Sequence, residues 1–288
     1  MRNEPIEPRS VRTIALKRGA SDCGLIRAGE IREHARFLSA SADAPPGLSY
    51  LRRGAITRRD PRLWFPPAKS VLVCAFRYWS PERGHPAENS RVGAPEEYLA
   101  KSGRRLRTEF LSGARSRGAV PLVSRYALGP DYHDAVKEKL SLMLSDIKEL
   151  RPDAEGKAFA DTSPVLEKEL GRLAGLGFRG RNTLLVSPEY GSYFFIGGLA
   201  LSLDITEETR TGAPETAGGC GECGKCVDAC PTGALNGDGS LDAGKCLSYW
   251  NTQSRTEAPA DIVKLSGGYI YGCDICQEAC PYNGKDAR

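Results

Sequence analysis

The 288 residues carry 10 cysteines and 40 Lys+Arg against 36 Asp+Glu, enough chain for two domains or one large one with a buried core, which excludes a disordered polypeptide. No apolar run approaches the ~18 residues that span a bilayer; the longest, Tyr193 to Ile205, is broken by two glycines, and the polar start Met1-Arg-Asn-Glu-Pro5 lacks a signal-peptide core, so a soluble, cytoplasmic protein with no membrane contact is expected. The net charge of +4 hides an uneven distribution: residues 1–125 hold 24 Lys+Arg against 12 Asp+Glu and residues 126–288 hold 16 against 24, and a basic half suits a polyanion such as nucleic acid, although solvated arginine-rich surfaces are common.

In chain order, residues 12–40 read as an amphipathic helix interrupted by Gly24, and Ala44 to Arg62 as a Pro/Gly/Arg-rich connector. Ser70 to Arg77 has the length of a buried strand, in which Cys74 acts as a small hydrophobe. Residues 80–97 look like an exposed loop, Leu99 to Arg117 like a basic helix, and Ala119 to Tyr126 like a second strand. After the turn Gly129-Pro-Asp131, the helical period Ala135, Leu140, Leu142, Leu144, Ile147 predicts a helix over Tyr132 to Leu150. Alternating strands and helices ahead of the cysteines argue for an α/β domain.

Phe159-Ala-Asp161 reads as a strand end. Thr162 or Ser163 is then expected to cap a helix with Pro164 first and Glu167 in its first turn. Asp161 therefore sits at a strand-to-helix corner, where a catalytic side chain is favoured and a simple turn residue is the competing reading. Gly175-Leu-Gly-Phe-Arg-Gly180 spells GxGxxG but follows a helix and precedes the strand Asn182 to Ser187, the reverse of a dinucleotide site, so nicotinamide binding is rejected. These glycines let a helix end and backbone approach something bulky. Gly191-Ser-Tyr-Phe-Phe-Ile-Gly-Gly198 is either core strand or the wall of a cofactor cavity.

Eight of the ten cysteines fall between Cys220 and Cys280; Cys23 lies far upstream without a motif. Cys220-x2-Cys223-x2-Cys226-x3-Cys230-Pro231 is the bacterial ferredoxin run. Cys246 and then Cys273-x2-Cys276-x3-Cys280-Pro281 resemble a second copy whose first spacing is opened by the 26 residues Leu247 to Gly272. Three close thiolates wrap three corners of one cubane, and the Cys-Pro turn sends the fourth to the neighbouring cluster. The expected ligation is crossed: Cys220, Cys223, Cys226 and Cys280 for one 4Fe-4S cluster, Cys246, Cys273, Cys276 and Cys230 for the other. Paired zinc sites are spaced differently and need no tight third cysteine.

The motifs Leu48-Ser-Tyr-Leu51, Arg58-Arg-Asp-Pro61, Pro66-Pro-Ala-Lys-Ser-Val71, Arg125-Tyr-Ala-Leu-Gly-Pro-Asp-Tyr-His133, Asp161-Thr-Ser-Pro-Val-Leu-Glu167, Gly175 to Leu185, Gly191-Ser-Tyr-Phe-Phe195, Cys246-Leu-Ser-Tyr249 and Ile270-Tyr-Gly-Cys-Asp274 together resemble the epoxyqueuosine reductase family. The resemblance implies a nitroreductase-like, cobalamin-binding α/β domain over residues 1–205 (with a basic insert at 80–117) and a ferredoxin-like double 4Fe-4S domain over 206–288. It implies reduction of epoxyqueuosine to queuosine in the tRNA anticodon loop, the last step of queuosine biosynthesis, in a monomer fed by an external flavodoxin- or ferredoxin-type electron donor. By the same resemblance Asp161 is the proton donor, which requires its carboxyl to be raised by burial against the corrin. Arg58, Asp131, Tyr132, His133, Asn182, Ser248 and Asp274 stand inside matched motifs as cofactor contacts, with a helix-start role competing for His133. Arg181 replaces a lysine of the family pattern, and Trp250-Asn-Thr-Gln-Ser-Arg255 departs from it. The family normally continues beyond the last Cys-Pro, whereas seven residues follow Pro281 here, which reads as a short form. Two alternatives stay open: a paralogous cobalamin and iron-sulfur reductase acting on a small molecule, in the manner of reductive dehalogenases, and a ferredoxin-type electron-transfer protein.

Overall fold

The computed structural model describes residues 4–79, 106–209 and 219–284. Their regular elements are α1 (Pro8–Lys17), β1 (Asp22–Arg27), α2 (His34–Ala42), α3 (Pro61–Trp64), β2 (Ser70–Arg77), α4 (Thr108–Ser116), β3 (Leu122–Val123), α5 (Tyr132–Leu150), β4 (Gly156–Phe159), α6 (Glu167–Leu173), β5 (Phe178–Arg179), β6 (Leu185–Val186), β7 (Phe194–Leu201), α7 (Lys225–Asp228), α8 (Ala260–Lys264), β8 (Tyr269–Tyr271) and α9 (Ile275–Glu278). The expected loop at 80–97 and the first part of the expected basic helix lie outside the described residues.

A four-stranded sheet in the order β1-β2-β7-β4, antiparallel throughout, carries the first core. The period-two alternation of side chains sends Leu72, Cys74 and Phe76 of β2 to one face and Val71, Val73 and Ala75 to the other. The first face is covered by α1 and α5, through Val11, Ala15, Val136, Leu140, Met143 and Ile147. The second is covered by α6 and the chain after it, through Leu170, Ala174 and Leu176. Both faces of β2 are thus dry, which is why its sequence is an unbroken apolar run. The expected helix over 12–40 is replaced by α1, β1 and α2, and Gly24 lies inside β1. A Cβ at Gly24 would stand 2.1 Å from the Ala174 carbonyl oxygen, so glycine is what lets the sheet and the end of α6 meet. Cys23 faces Cys74 across the β1–β2 ladder, and both are buried.

The expected strand at 119–126 shortens to β3 and leaves this sheet. It pairs in parallel with β8, 146 or more residues further along the chain. With α4 it belongs to another core, in which Phe110, Leu111, Ala114, Val123 and Ala127 pack on Leu247, Ala258, Ile262 and Ile270. Residues 106–128 therefore fold against the cysteine-rich segment. The expected helix cap at Thr162 or Ser163 is also displaced: residues 161–165 form bends, and α6 starts at Glu167 after Leu166, which makes no side-chain cap. Gly175, with φ +79°, ends the passage out of α6, as the sequence suggested.

The sheet layer and the cysteine-rich layer are joined through Arg125. Its side chain is 1 % exposed, as is that of Asp274, to which its Nη1 donates at 3.0 Å. The Arg125 backbone N–H donates to the same oxygen at 2.8 Å, Nη1 also donates to the Tyr193 hydroxyl at 2.8 Å, and Nη2 to Glu278 at 2.8 Å. The guanidinium lies over the rings of Trp79 and Tyr193, 5.1 and 4.8 Å from their centroids. Replacing Arg125 by Met leaves the Asp274 carboxylate buried without its counter-charge, and a loss of ~3–5 kcal/mol is expected. Denaturant unfolding of the holoprotein checks this, and in the Arg125→Met/Asp274→Asn double variant the loss should be smaller than the sum of the two single changes.

Candidate cofactor and active site

The cysteines separate into two groups. Cys220, Cys223, Cys226 and Cys280 line one small cavity with Phe178, Gly180, Arg181 and Tyr282. Cys230, Cys246, Cys273 and Cys276 line part of a second cavity of about 370 Å³. Each group draws one member from the other half of the repeat, because the Cys-Pro turns after α7 and α9 point across the pair of helices. Burial pushes the Cys276 thiol up to about 12 and raises Cys273 well above its ordinary value, so thiolates there require a metal's positive charge beside them. Backbone N–H groups of Arg181 and Ala234 donate to the sulfurs of Cys220 and Cys230, each at 3.4 Å. Asn251, fully buried in the π-turn Tyr249–Gln253, clamps Gly272 through two 2.9 Å hydrogen bonds and so fixes the backbone ahead of Cys273.

The second cavity has an aromatic wall opposite its cysteines, made by Tyr78, Tyr126, Tyr132, Phe194 and Phe195. Tyr132 stacks on Phe195 at 4.2 Å with 5° between the planes, and His133 stacks on Tyr132 at 4.1 Å. Asn182, Ser248 and Asp274 also line this cavity. The Asp274 carboxylate, however, is held by Arg125 as described above. Asn182 lies at the boundary of both cysteine cavities, and its buried Nδ2 has no hydrogen-bond partner. An orphaned amide donor in a cavity wall is the kind of group that a ligand's carbonyl satisfies.

Thr183 and Leu184 are shared with a third cavity, of about 360 Å³, lined by Tyr50, Arg58, Asp161, Glu167 and Lys168 among others. Asp161 (φ 59°) and Thr183 (φ 69°) are the two non-glycine residues with left-handed backbone among the described residues, and both border this cavity. Such conformations cost of order 1–3 kcal/mol each and persist where the surroundings over-determine them. For Asp161 the surroundings are explicit. Its N–H donates to Glu167 Oε1 at 2.5 Å, and its Oδ2 faces His133 Nε2 at 2.9 Å. His133 Nδ1 in turn faces Asp131 Oδ1 at 2.7 Å, and the same oxygen caps the start of α5 by accepting from the His133 N–H. Two carboxylates can only accept, so an imidazolium with both nitrogens protonated satisfies the whole Asp131, His133, Asp161 row. Burial lowers the His133 imidazole, but the hydrogen bonds to Asp161 and Asp131 outweigh it, and the net shift is upward.

The Asp161 side chain is 59 % exposed towards the cavity, so the burial expected for it is absent from the protein alone. It is Glu167 whose carboxyl is pushed up, to about 8, by burial first and by the charge of Asp161 second. Burial, then the Asp161 charge, also raises the Tyr132 phenol. Sequence reasoning saw Glu167 only as a helix-start residue and missed Lys168 and Thr183. Adjacency of Glu167 to the Asp-Thr-x-Pro motif was the available signal. Of the residues expected at the site, Arg58 and Asp161 line one cavity, to which His133 and Asp131 connect through the Asp161 carboxylate, and Tyr132, Asn182, Ser248 and Asp274 line the cysteine cavity.

A family model described as epoxyqueuosine reductase QueG, DUF1730, matches residues 58–162, and one described as a 4Fe-4S double cluster binding domain matches residues 219–283. The epoxyqueuosine reductase of Cyclobacterium marinum is 31 % identical over 95 % of this chain and 78 % of its own length. The chain belongs to the epoxyqueuosine reductase family. A solved epoxyqueuosine reductase with an epoxyqueuosine-modified tRNA-Tyr stem loop superimposes with a TM-score of 0.71 at 26 % identity, over 97 % of this chain and 66 % of that one. One from Bacillus subtilis, described with its catalytic aspartate loop swung out of the active site, also has a TM-score of 0.71, at 25 % identity and the same coverage. The α/β class with a C-terminal double 4Fe-4S domain is as expected from sequence. No helix among the described residues is long and apolar enough to cross a membrane.

The cofactor that epoxyqueuosine reductases imply, cobalamin, fits these walls. The cysteine cavity and the Asp161 cavity adjoin through Thr183 and Leu184, and a further cavity of about 540 Å³ adjoins through Tyr78, Tyr126, Tyr132 and Phe195. An aromatic wall and the orphaned Asn182 amide suit a large planar ligand edged with amides.

Glu167 gives the site a pH signature. Its folded-state value lies above its ordinary 4.5, so the native state binds more protons than the unfolded chain from there up to about 8, and its contribution to stability is full below that window and lost as pH rises through it. Glu167→Gln keeps the acceptor for the Asp161 N–H but removes the titration. Thermal melts of this variant should lose the decline of the wild type between about pH 5 and 8, at ~2–4 °C per kcal/mol.

Proposed function

We propose that this chain reduces epoxyqueuosine in tRNA to queuosine, using cobalamin fed by two 4Fe-4S clusters. The observation that carries this reading is a continuous cleft whose one wall holds Cys230, Cys246, Cys273 and Cys276 and whose adjoining cavity holds Asp161. Conversion of an epoxide to an alkene consumes two electrons and two protons and releases the oxygen as water. Electron supply and proton supply must therefore meet at one place from different sides.

Cys220, Cys223, Cys226 and Cys280 hold one cluster, and Cys230, Cys246, Cys273 and Cys276 hold the other, closer to the cleft. Asn182, Ser248, Tyr126 and Tyr132 hold the corrinoid against the second group. When bound, cobalamin would supply a low-potential metal centre for carbon–oxygen cleavage, and 4Fe-4S clusters on these cysteines would supply one-electron carriers beside it. Asp161 takes a proton from His133 Nε2, 2.9 Å away, and passes it to the epoxide oxygen. Asp131 keeps that imidazole charged and fixes its ring. Glu167, neutral at pH 7, holds Asp161 in its left-handed conformation and stores a second proton beside it. The aromatic wall excludes water from the reacting atoms. The same reading includes a one-electron donor of flavodoxin or ferredoxin type, a monomeric state and a cytoplasmic setting, where tRNA is found.

Anaerobically purified protein with both clusters and cobalamin reconstituted should convert an epoxyqueuosine-containing stem loop to the queuosine form under a reducing donor. Asp161→Asn should lower kcat by ~10²–10⁴ while leaving stem-loop affinity and the iron-sulfur absorbance unchanged. Recovery of unreduced substrate from fully loaded wild-type protein would overturn the reading.

A further inference from the structure

Four cationic side chains border the Asp161 cavity: Arg36 of α2, Arg58, Lys168 of α6 and Arg179 of β5. Three of them have polar contacts to carbonyl oxygens and no ion pair with a described carboxylate. Arg36 Nη2 donates to the Asp238 carbonyl at 2.7 Å, and Lys168 Nζ to the Thr183 carbonyl at 3.1 Å. Arg58 is 8 % exposed, and its Nη1 makes long contacts, 3.3 and 3.4 Å, to the carbonyls of Arg53 and Gly54, with the Phe37 ring 5.6 Å below its guanidinium carbon.

The carboxylates of the same cavity are already matched. Glu33 pairs with Arg172 at 2.5 Å, and Glu169 pairs with Arg172 at 3.0 Å and Arg179 at 3.3 Å. Asp161 faces His133, and Glu167 is neutral at pH 7. The cations consequently outnumber the free negative charges. They also stand together on one wall of a cavity open to solvent. Like charges held together in a half-enclosed cavity are relieved by a bound anion. Two or more guanidiniums with an ammonium, converging from different elements, match a tetrahedral oxyanion that accepts on several sides.

We propose that the cavity between Arg36, Arg58, Lys168 and Arg179 binds a phosphate group of a ligand that also occupies the adjoining cleft. On the function proposed above, that phosphate belongs either to the RNA strand next to the reacting nucleotide or to the nucleotide tail of cobalamin. The chemistry is the same for both sources, a singly charged phosphodiester.

The first measurement is independent of substrate. Inorganic phosphate, compared with chloride at matched ionic strength, should raise the thermal midpoint of the cluster-loaded wild-type protein and leave Lys168→Gln unmoved, with Lys168→Arg restoring the rise. Two further titrations identify the source. If the phosphate is RNA's, Lys168→Gln weakens binding of an unmodified anticodon stem loop about tenfold and lowers its salt slope by ~0.7–0.9, with cobalamin binding unchanged. If it is cobalamin's, the same variant weakens cobalamin about tenfold and leaves cobinamide, which lacks the nucleotide and its phosphate, unaffected. The proposal is overturned if phosphate stabilises wild type and Lys168→Gln equally, or if the variant weakens cobalamin and cobinamide alike. Loss of epoxide turnover with the phosphate response intact would instead count against the proposed reaction alone.

Discussion

A guanidinium buried to 1 % exposure organises this molecule. Arg125 follows β3, which pairs with β8, and it reaches Asp274 and Glu278 on either side of Cys276 and Tyr193 ahead of β7. A charge in that position is tolerable only when it is paired and its faces are covered, here by two carboxylates on its Nη atoms and two aromatic rings, while its Nε is left without a partner among the described residues. The position of the cysteine groups relative to the sheet is therefore fixed by a contact with few alternatives. The aromatic wall inherits its place from the same contact, since Tyr78 and Trp79 pack on Tyr193. Tyr78, Trp79 and Arg125 also line the cavity on the far side of that wall.

The site itself is assembled from corners. Asp161 leaves the end of β4, Glu167 begins α6, His133 opens α5, and Thr183 lies between β5 and β6. Rigid elements end there, and backbone in left-handed conformation at Asp161 and Thr183 aims side chains into the cleft. Holding Asp161 through its own N–H and through His133 leaves the carboxylate tip turned to the cavity. The cavity that holds Asp161, the end of a carboxylate, imidazolium and carboxylate row, is also bordered by Arg36, Arg58, Lys168 and Arg179.

Much of this was legible in the sequence where it depended on neighbours in the chain. β2 and α5 have the limits that periodicity gives them, because alternation and a 3.6-residue repeat are local properties. The cysteine spacing was legible for the same reason, as was the reversed order of the GxGxxG segment. β1 reads as part of a helix in the sequence because Gly24 interrupts an apolar run, and the reason for that glycine is a carbonyl contributed by Ala174, 150 positions away in the chain. The partner of β3 is not legible in the sequence, since two apolar residues pair equally well with any strand that tertiary packing presents.

The sequence by itself determined β2 and α5, the family and the residue types available for metal and proton chemistry. Tertiary structure alone decided which of those residues meet. His133 and Asp161 are 28 positions apart, and Arg125 and Asp274 are 149 apart. The raised carboxyl of Glu167, the charged imidazole of His133 and the unmatched cations beside Lys168 likewise exist only after folding. Ionisation answers to burial and to charges brought close in space, and neither is a property of a residue's neighbours along the chain.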